Sequence, residues 1–553
     1  MIQDLRLKHK LILAAILILS VLLRFWRFGD YPALNADEAA IGYNAYALLE
    51  TGKDEHGNLW PIHFQSFNDY KPGLYFYLVL PFVKVLGLNE WAVRIPNAVL
   101  GVLTVYIVYF LTKDLFPKKE IGIWKLEIGH FASFLLAINP WHIHFSRGGW
   151  EVNTATFFIT LGIYLFIKGQ KKISLLMLSA LSFVLTLYTY HAARVVVPLL
   201  VFGAFYIYRD AFKRNFKNYM FAALVGLVAL LPLLKDLTKP EITSRAAGVG
   251  LFADPGPLAR IDEQRGEHGN FQGFIPKVLH NKAVNYGLAF LENYSDHFHG
   301  EFLFLSGDEI QRSKVPETGQ MYLFDILFLT VGFWAIIRNP KGWGLILCWL
   351  FVAPTAAALT FQSPHALRAH NMVIPLTIVS AAGLAEIIKW GRGFGKNNYF
   401  LTIYFLLLTS LIAWQFTRYL HMYYTHMAKE YPFSSQYGLK ELVSFVNANE
   451  GKYQNIIVTD RYDQPYILFL FYLKYPPNNF QNFHKLTQKD KFGFSTVRNF
   501  GKFEFKSIAW DTDQPINANS LLIGTDQEIP DVANIIAEIY GANGYKYFQI
   551  VAN

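Results

Sequence analysis

The sequence predicts a polytopic α-helical membrane protein that ends in a small α/β domain on the outer side. Three observations carry this. Only 16% of the 553 residues are charged and 53% are hydrophobic, whereas a soluble globular chain carries about a quarter charged residues. Apolar runs such as LILAAILILSVLL, FAALVGLVALLPLLK and FLLLTSLIAW recur along the chain, and runs near the ~20 residues that cross a bilayer read as membrane helices. Beyond Arg418 the chain turns polar, and strand-like runs such as NIIVTD and SLLIG alternate with helical ones such as GLKELVSFVNANE, the pattern of a small α/β domain.

Taken from the N-terminus, Arg6, Lys8 and Lys10 precede an apolar run that continues to Phe28 with no small-residue cleavage site, so the first segment is expected to stay as an anchor. Eleven spans follow from hydropathy, at roughly 11–28, 95–116, 126–140, 151–167, 173–189, 194–208, 218–236, 321–337, 343–360, 371–388 and 399–416. The short loops 1–10, 117–125, 168–172, 209–217, 338–341 and 389–396 hold 18 Lys and Arg residues. Short basic loops stay on the cytoplasmic side. The net charge of +9 is thus orientation signal, not a nucleic-acid patch. This puts the N-terminus in the cytoplasm and the two long loops, 29–94 and 237–320, outside, with a prokaryotic cell membrane as the expected location. The single cysteine, Cys348, excludes an intrachain disulfide.

One segment decides the topology. In GLYFYLVLPFVKVLGL the uninterrupted apolar run, Leu74 to Val83, is ten residues long, with Pro81 inside it and Lys84 next. Runs this short are more often interfacial than spanning. Read as a span, it would move 15 of the 18 loop cations outside. It is therefore expected to be an amphipathic surface helix in the first outer loop. The domains expected are 1–417, the membrane part, and 418–553, the extracytoplasmic α/β part.

The first outer loop opens with LNADEAAIGYNAY, which places Asp37 and Glu38 beside the membrane, where acids are costly and need a partner or a task. Asn35 with Glu38 three residues on forms a capping-box pattern, which accounts for Glu38 and leaves Asp37 to be explained. The same loop carries SFNDYKPGLYFY. Its Asp69 is either turn chemistry before a Lys-Pro or a second acid converging with Asp37 over a lipid head group, with Lys71 meeting a phosphate. Cations suited to a phosphate also occur at the outer ends of spans: Arg147 in WHIHFSRGGWE, Arg194 in YTYHAAR beside Tyr190 and His191, Arg368 with His365 in SPHALR, and Arg245. His142 and His144 are two apart and cannot share a metal on a helix. Asp296, His297, His299 and Glu301 are expected to be a solvated loop, with a metal site as the alternative, and the long loop 237–320 to be a lid over the cavity.

The ordered set of DE after the first span, then DYKPGLYFY, then WAVRIPNAVLGVLTVY opening the next span resembles the GT-C glycosyltransferases of the protein O-mannosyltransferase and lipid A aminoarabinose transferase group. HFSRGGWEVNTATFFITLGIYLF and SPHALRAHNMVIPLTIVSAAGL agree with it. The resemblance covers residues 1 to about 417. It implies a GT-C architecture and an inverting transfer of a sugar from a polyprenyl-phosphate donor to an extracytoplasmic lipid, glycan or protein acceptor. By position, Asp37 matches the family's first-loop acid, its favoured general base. Asp69 takes the place of an acid that precedes Lys-Pro-Pro, here Lys71-Pro72-Gly73. Arg94 matches the Arg that ends the loop, either as a substrate contact or as a brace. The catalytic candidates are therefore Asp37 and Asp69. The substrate-binding candidates are Glu38, Lys71, Arg94, Arg147, Tyr190, His191, Arg194, His365 and Arg368. No cofactor follows from the sequence, and a divalent metal is an open alternative to the cationic side chains. A transporter or lipid flippase is the competing reading, although the internal repeats common in transporters are absent from the sequence. A non-catalytic scaffold is a third.

Overall fold

The computed structural model describes residues 2–553 apart from 68, 117–119, 122–125, 241, 243–247, 394–397, 435 and 490–494. Arg245 lies outside the described residues. The chain forms two compact units, one built from residues 1–24, 100–146 and 151–420, the other from 25–99, 147–150 and 421–553.

The first unit is helical. Each of the eleven spans read from hydropathy overlaps a helix. Among the described residues five helices are long and apolar enough to cross a bilayer: Glu90–Leu115, Glu151–Gly169, Phe216–Asp236, His370–Gly391 and Tyr399–Glu430. Shorter apolar helices include Ile128–Ile138, Ile173–Leu187, Ala193–Ile207 and Gly344–Ala358. Phe216–Asp236 is only 17% buried over its apolar window, and Leu224, Leu227, Val228 and Leu231 are each more than half exposed. A contiguous apolar face of this kind calls for lipid around it.

Small residues and hydroxyls set how the membrane helices meet. Ser179 Oγ donates to Gly162 O at 2.7 Å and Ser182 Oγ to Phe158 O at 2.8 Å, stitching Glu151–Gly169 to Ile173–Leu187. Phe324–Arg338 and Val373–Gly393 touch backbone to backbone. A Cβ on Gly383 would stand 1.7 Å from Phe328 O, and one on Gly332 would stand 2.3 Å from Val379 O. Close approach of this kind replaces the hydrophobic drive that lipid cannot supply.

The second unit joins the first outer loop and the tail in one hydrophobic core. Helix Ala36–Thr51 is buried along almost its whole length. Ala39, Ala40, Tyr43, Phe64 and Tyr75 from the loop share a cluster with Leu439, Ile467, Phe471 and Phe548 from the tail. Gly42 lets Phe471 and Val93 reach the helix backbone, at 2.5 and 2.7 Å from where a Cβ would sit. Hydropathy had grouped residues 29–94 with the membrane helices because it reads lipid-facing apolar runs. What draws this loop to the tail is a core that the sequence spreads over two distant segments. The segment expected to lie on the surface is a 13-residue helix, Leu74–Leu86, which buries Tyr75, Phe76, Val79 and Val83 and exposes Val85. It is well short of a crossing.

The tail carries a six-stranded mixed sheet. Its spatial order is Asn499–Phe500, Phe503–Phe505, Asn455–Val458, Ser520–Gly524, Lys546–Ala552, Ile535–Tyr540. Asn455–Val458 runs parallel to both neighbours, and the other pairings are antiparallel. Alternate residues of the central strand serve two cores: Ile456 and Val458 join the large cluster, and Ile457 packs with Leu522 and Val551 on the opposite face. A strand covered on both faces reads as continuously apolar, as NIIV does.

The glycine contacts give a direct test. Gly383→Ala is expected to lower thermal stability by about 1–3 kcal/mol or more, since its methyl meets a carbonyl that cannot rotate away. Gly226→Ala, whose Cβ would lie 3.4 Å from Ala180, is expected to leave it unchanged. Thermal unfolding of both variants in detergent checks the contrast.

Candidate active site

The two adjacent acids that open helix Ala36–Thr51 have different surroundings. Glu38 completes the capping box: its backbone N–H donates to Asn35 Oδ1 at 3.0 Å, and its Oε2 accepts from Asn35 N at 3.3 Å. The same carboxylate takes a bidentate fork from Arg94, Nε to Oε1 at 2.7 Å and Nη2 to Oε2 at 2.8 Å, and the Gly149 N–H at 2.8 Å. Arg94 spends its remaining donors on the carbonyls of Phe28, Pro32 and Ala33. A guanidinium has five N–H groups, and all five are engaged. Both side chains are buried, at 0% and 1% exposure. Of the two readings open for Arg94, substrate contact or brace, this geometry is that of a brace, with every polar atom of Glu38 and Arg94 engaged within the protein.

Asp37, one residue earlier, keeps 27% of its side chain exposed. Its Oδ1 accepts from Lys71 Nζ at 2.5 Å. Lys71 comes from a two-stranded hairpin, His63–Ser66 paired with Asp69–Pro72 in the register Phe64 with Lys71 and Ser66 with Asp69. Residues two apart on a strand share a face, so Asp69 and Lys71 point the same way, both buried to under a tenth exposure. Lys71 Nζ also lies 5.2 Å from the centre of the Phe67 ring. The structure thus brings Asp37 and Lys71 together, with Asp69 on the lysine's face.

A residue with no signal in the sequence anchors this helix. Gln436, from the tail, accepts the Ala36 N–H on its Oε1 at 2.5 Å and donates through Nε2 to Asp463 O. The helix start is therefore held by Asn35, Gln436 and the Arg94–Glu38 pair. Arg147 is also buried: Nε donates to the Tyr423 hydroxyl at 3.1 Å, Nη2 to Trp26 O and Tyr31 O, and the guanidinium lies 5.3 and 5.4 Å from the Tyr423 and Tyr424 ring centres.

The remaining candidates belong to the helical unit. Arg194 Nη1 lies 3.0 Å from His191 Nδ1. Tyr190 and Arg368 line one cavity of about 10 Å³, room for one water, and Arg368 Nη1 donates to Thr360 Oγ1 at 2.6 Å. The backbone around His365 is pinned by two residues of the long loop: His365 N donates to His297 Nε2 at 3.1 Å, and Ala366 N to Asp308 Oδ2 at 2.6 Å. His297 was expected in a solvated stretch. It is fully buried, and burial holds its imidazole down at about 4. A polar composition hid the fact that it faces inward.

A second polar cluster joins residues of the first loop to His484 of the tail. Glu55 is buried, accepts from Asn44 Nδ2 at 3.2 Å and returns its backbone N–H to Asn44 Oδ1 at 2.9 Å. Burial pushes its carboxyl up to about 8. His56 Nδ1 meets His484 Nε2 at 2.8 Å, and burial holds His56 down at about 3.

Residues 70–235 match the family described as dolichyl-phosphate-mannose-protein mannosyltransferase. An uncharacterised protein of Aquifex aeolicus (strain VF5) is 27% identical over 218 residues, so the match spans 39% of this chain and less than half, 41%, of that relative. Among solved structures, ArnT from Cupriavidus metallidurans bound to undecaprenyl phosphate superposes with a TM-score of 0.55 at 11% identity, covering 98% of this chain and 97% of that one. The archaeal oligosaccharyltransferase AglB from Archaeoglobus fulgidus, in complex with an inhibitory peptide and a dolichol-phosphate, gives 0.50 at 13% identity, covering 84% of this chain and 63% of its own. The chain has the GT-C fold of these membrane glycosyltransferases.

Two measurements follow from this geometry. Arg94→Ala leaves a buried carboxylate unpaired, and removing one partner of a buried pair costs about 3–5 kcal/mol, so loss of a monodisperse folded peak is expected on size exclusion. Glu55 takes up protons on folding, because its folded value lies above its unfolded one of 4.5. Its contribution to stability therefore declines as pH rises from about 4.5 to about 8. Glu55→Gln is expected to raise the melting temperature relative to the parent at pH 8, with the difference closing toward pH 5.

Proposed function

We propose that the chain is an inverting membrane glycosyltransferase that moves a sugar from a polyprenyl-phosphate donor to an acceptor hydroxyl on the outer side of the membrane. The observation that carries this reading is the Asp37–Lys71 pair. It is a partly exposed carboxylate at the start of a buried helix, on a fold shared with membrane glycosyltransferases, and its neighbour Glu38 is wholly committed to structure. Asp37 is the acid left for chemistry.

The residue types suit the reaction. The acceptor hydroxyl attacks the anomeric carbon and gives its proton to the Asp37 carboxylate, an exchange typically worth 10²–10⁴-fold. The bond from the anomeric carbon to the phosphate oxygen breaks, and the lipid phosphate leaves with the electron pair. As in glycoside hydrolysis, the transition state has oxocarbenium character, which a nearby carboxylate stabilises. Lys71 has two anionic partners to choose between. With no donor bound it holds Asp37. With a donor phosphate nearby, its flexible ammonium, a point charge on a long stem, moves to the phosphate and frees Asp37 to take the proton. Asp69, on the lysine's face of the strand, guides that exchange. Arg194, Arg368, Tyr190, His191 and His365 stay as substrate-binding candidates on the strength of the sequence, and the sugar and acceptor are left open.

The test is sugar transfer from a panel of labelled prenyl-phosphate donors by the purified full chain. Asp37→Asn is expected to lose at least 10²-fold in kcat with donor binding retained. Lys71→Met is expected to lose both donor affinity and rate. Transfer by Asp37→Asn at the parent's rate would remove Asp37 as the base.

A further inference from the structure

The last long helix is interrupted near its end. After Asn398–His421 the chain makes one π turn, Met422–His426, before Met427–Glu430. In an α-helix, with 3.6 residues per turn, positions five apart point about 140° away from each other. A π turn closes on i→i+5 and stacks them. Here it brings His421 and His426 together on the outward side, with their Nε2 atoms 3.2 Å apart and their ring centres 5.0 Å apart. The opposite side of the turn is buried through Met422 and Tyr423.

Second partners set which nitrogen each ring presents. His426 Nδ1 lies 3.1 Å from Glu430 Oε1. A carboxylate accepts only, so the proton of the neutral His426 sits on Nδ1, and its Nε2 lone pair faces His421. Behind His421, Nδ1 lies 3.5 Å from Thr425 Oγ1, a hydroxyl that accepts the Nδ1 proton when Nε2 binds a cation. We propose that His421 and His426 form a transition-metal site for Zn²⁺ or a similar borderline cation, with Glu430 as the outer carboxylate that orients His426. Two nitrogens bound to zinc at 2.0–2.1 Å in tetrahedral geometry stand about 3.3 Å apart, close to the 3.2 Å between these two. Imidazole backed by a carboxylate is the usual form of a zinc-bound histidine. Water fills the remaining positions, since both rings are solvent-accessible.

The site has a consequence for the same unit. The metal clamps the outer side of a turn whose Tyr423 and Tyr424 lie over Arg147. Binding therefore stiffens the seat of a buried guanidinium. The proposed metal site is independent of the transfer reaction.

The experiment uses the full chain in detergent, stripped with a chelator and titrated with Co²⁺ and then Zn²⁺. Visible absorption of bound Co²⁺, its displacement by Zn²⁺, and the zinc-dependent shift in melting temperature are the readouts. The parent is expected to bind one saturable equivalent that both His421→Ala and His426→Ala lose. Glu430→Gln is expected to keep the equivalent at 10–100-fold weaker affinity, as for other outer carboxylates. Both histidines are on the surface, so the alanine variants are expected to melt as the metal-free parent does. Absence of saturable binding in the parent, or binding unchanged in both alanine variants, would overturn the site and leave the 3.2 Å contact as a hydrogen bond between two imidazoles.

Discussion

The buried ion pair of Glu38 and Arg94 is the constraint on which the candidate site depends. A charge taken out of water is expensive unless it is fully paired, and here the pairing extends beyond two side chains. Arg94 gathers three carbonyls from the residues just ahead of helix Ala36–Thr51, and Glu38 gathers the cap of that helix and a backbone N–H from Gly149. The loop can adopt one conformation that satisfies all of these groups together. Asp37 inherits its position from that knot. A carboxylate that must meet a reacting hydroxyl to within a few tenths of an ångström gains from a neighbour that cannot move.

Adjacent acids so divided let one dipeptide serve structure through Glu38 and, in the proposed reaction, chemistry through Asp37. Successive residues at a helix start point about 100° apart. Glu38 turns inward to Arg94, and Asp37 turns toward the hairpin and Lys71. The hairpin contributes through its two-residue period, which sets Asp69 and Lys71 on one side. The fold shared with membrane glycosyltransferases does not by itself assign an activity. What supports the transferase reading is that a partly exposed acid and a lysine meet within a loop otherwise closed by buried pairs.

Much of the architecture was legible because apolar length is a local signal. The apolar helices and the strands NIIV and SLLIG could be read from consecutive residues, and so could the capping box of Asn35 and Glu38. The Arg94 fork could not, because an arginine that braces and one that binds substrate look the same in sequence. They differ only in how many of the five N–H groups are already taken. Gln436 was invisible for a similar reason: its partner, the Ala36 N–H, is 400 residues away. His297 lies in a polar stretch that reads as solvated, and only tertiary packing turns it inward, as it does Glu55. The grouping of the first loop with the tail also escaped hydropathy, which measures how apolar a segment is but not what covers it.

That shared core has a consequence for how the protein comes into being. Ala39, Tyr43, Phe64 and Tyr75 leave the ribosome long before Leu439, Phe471 and Phe548, with which they pack. About 320 residues separate the two parts of the unit, and at ~5–20 residues per second the wait is tens of seconds. Through that interval the early segment has greasy side chains and no partner. Nascent molecules must be shielded by lipid, by the translocation machinery or by a holding chaperone until the far end of the polypeptide arrives. Folding of this unit is thus timed by translation of the chain's last quarter.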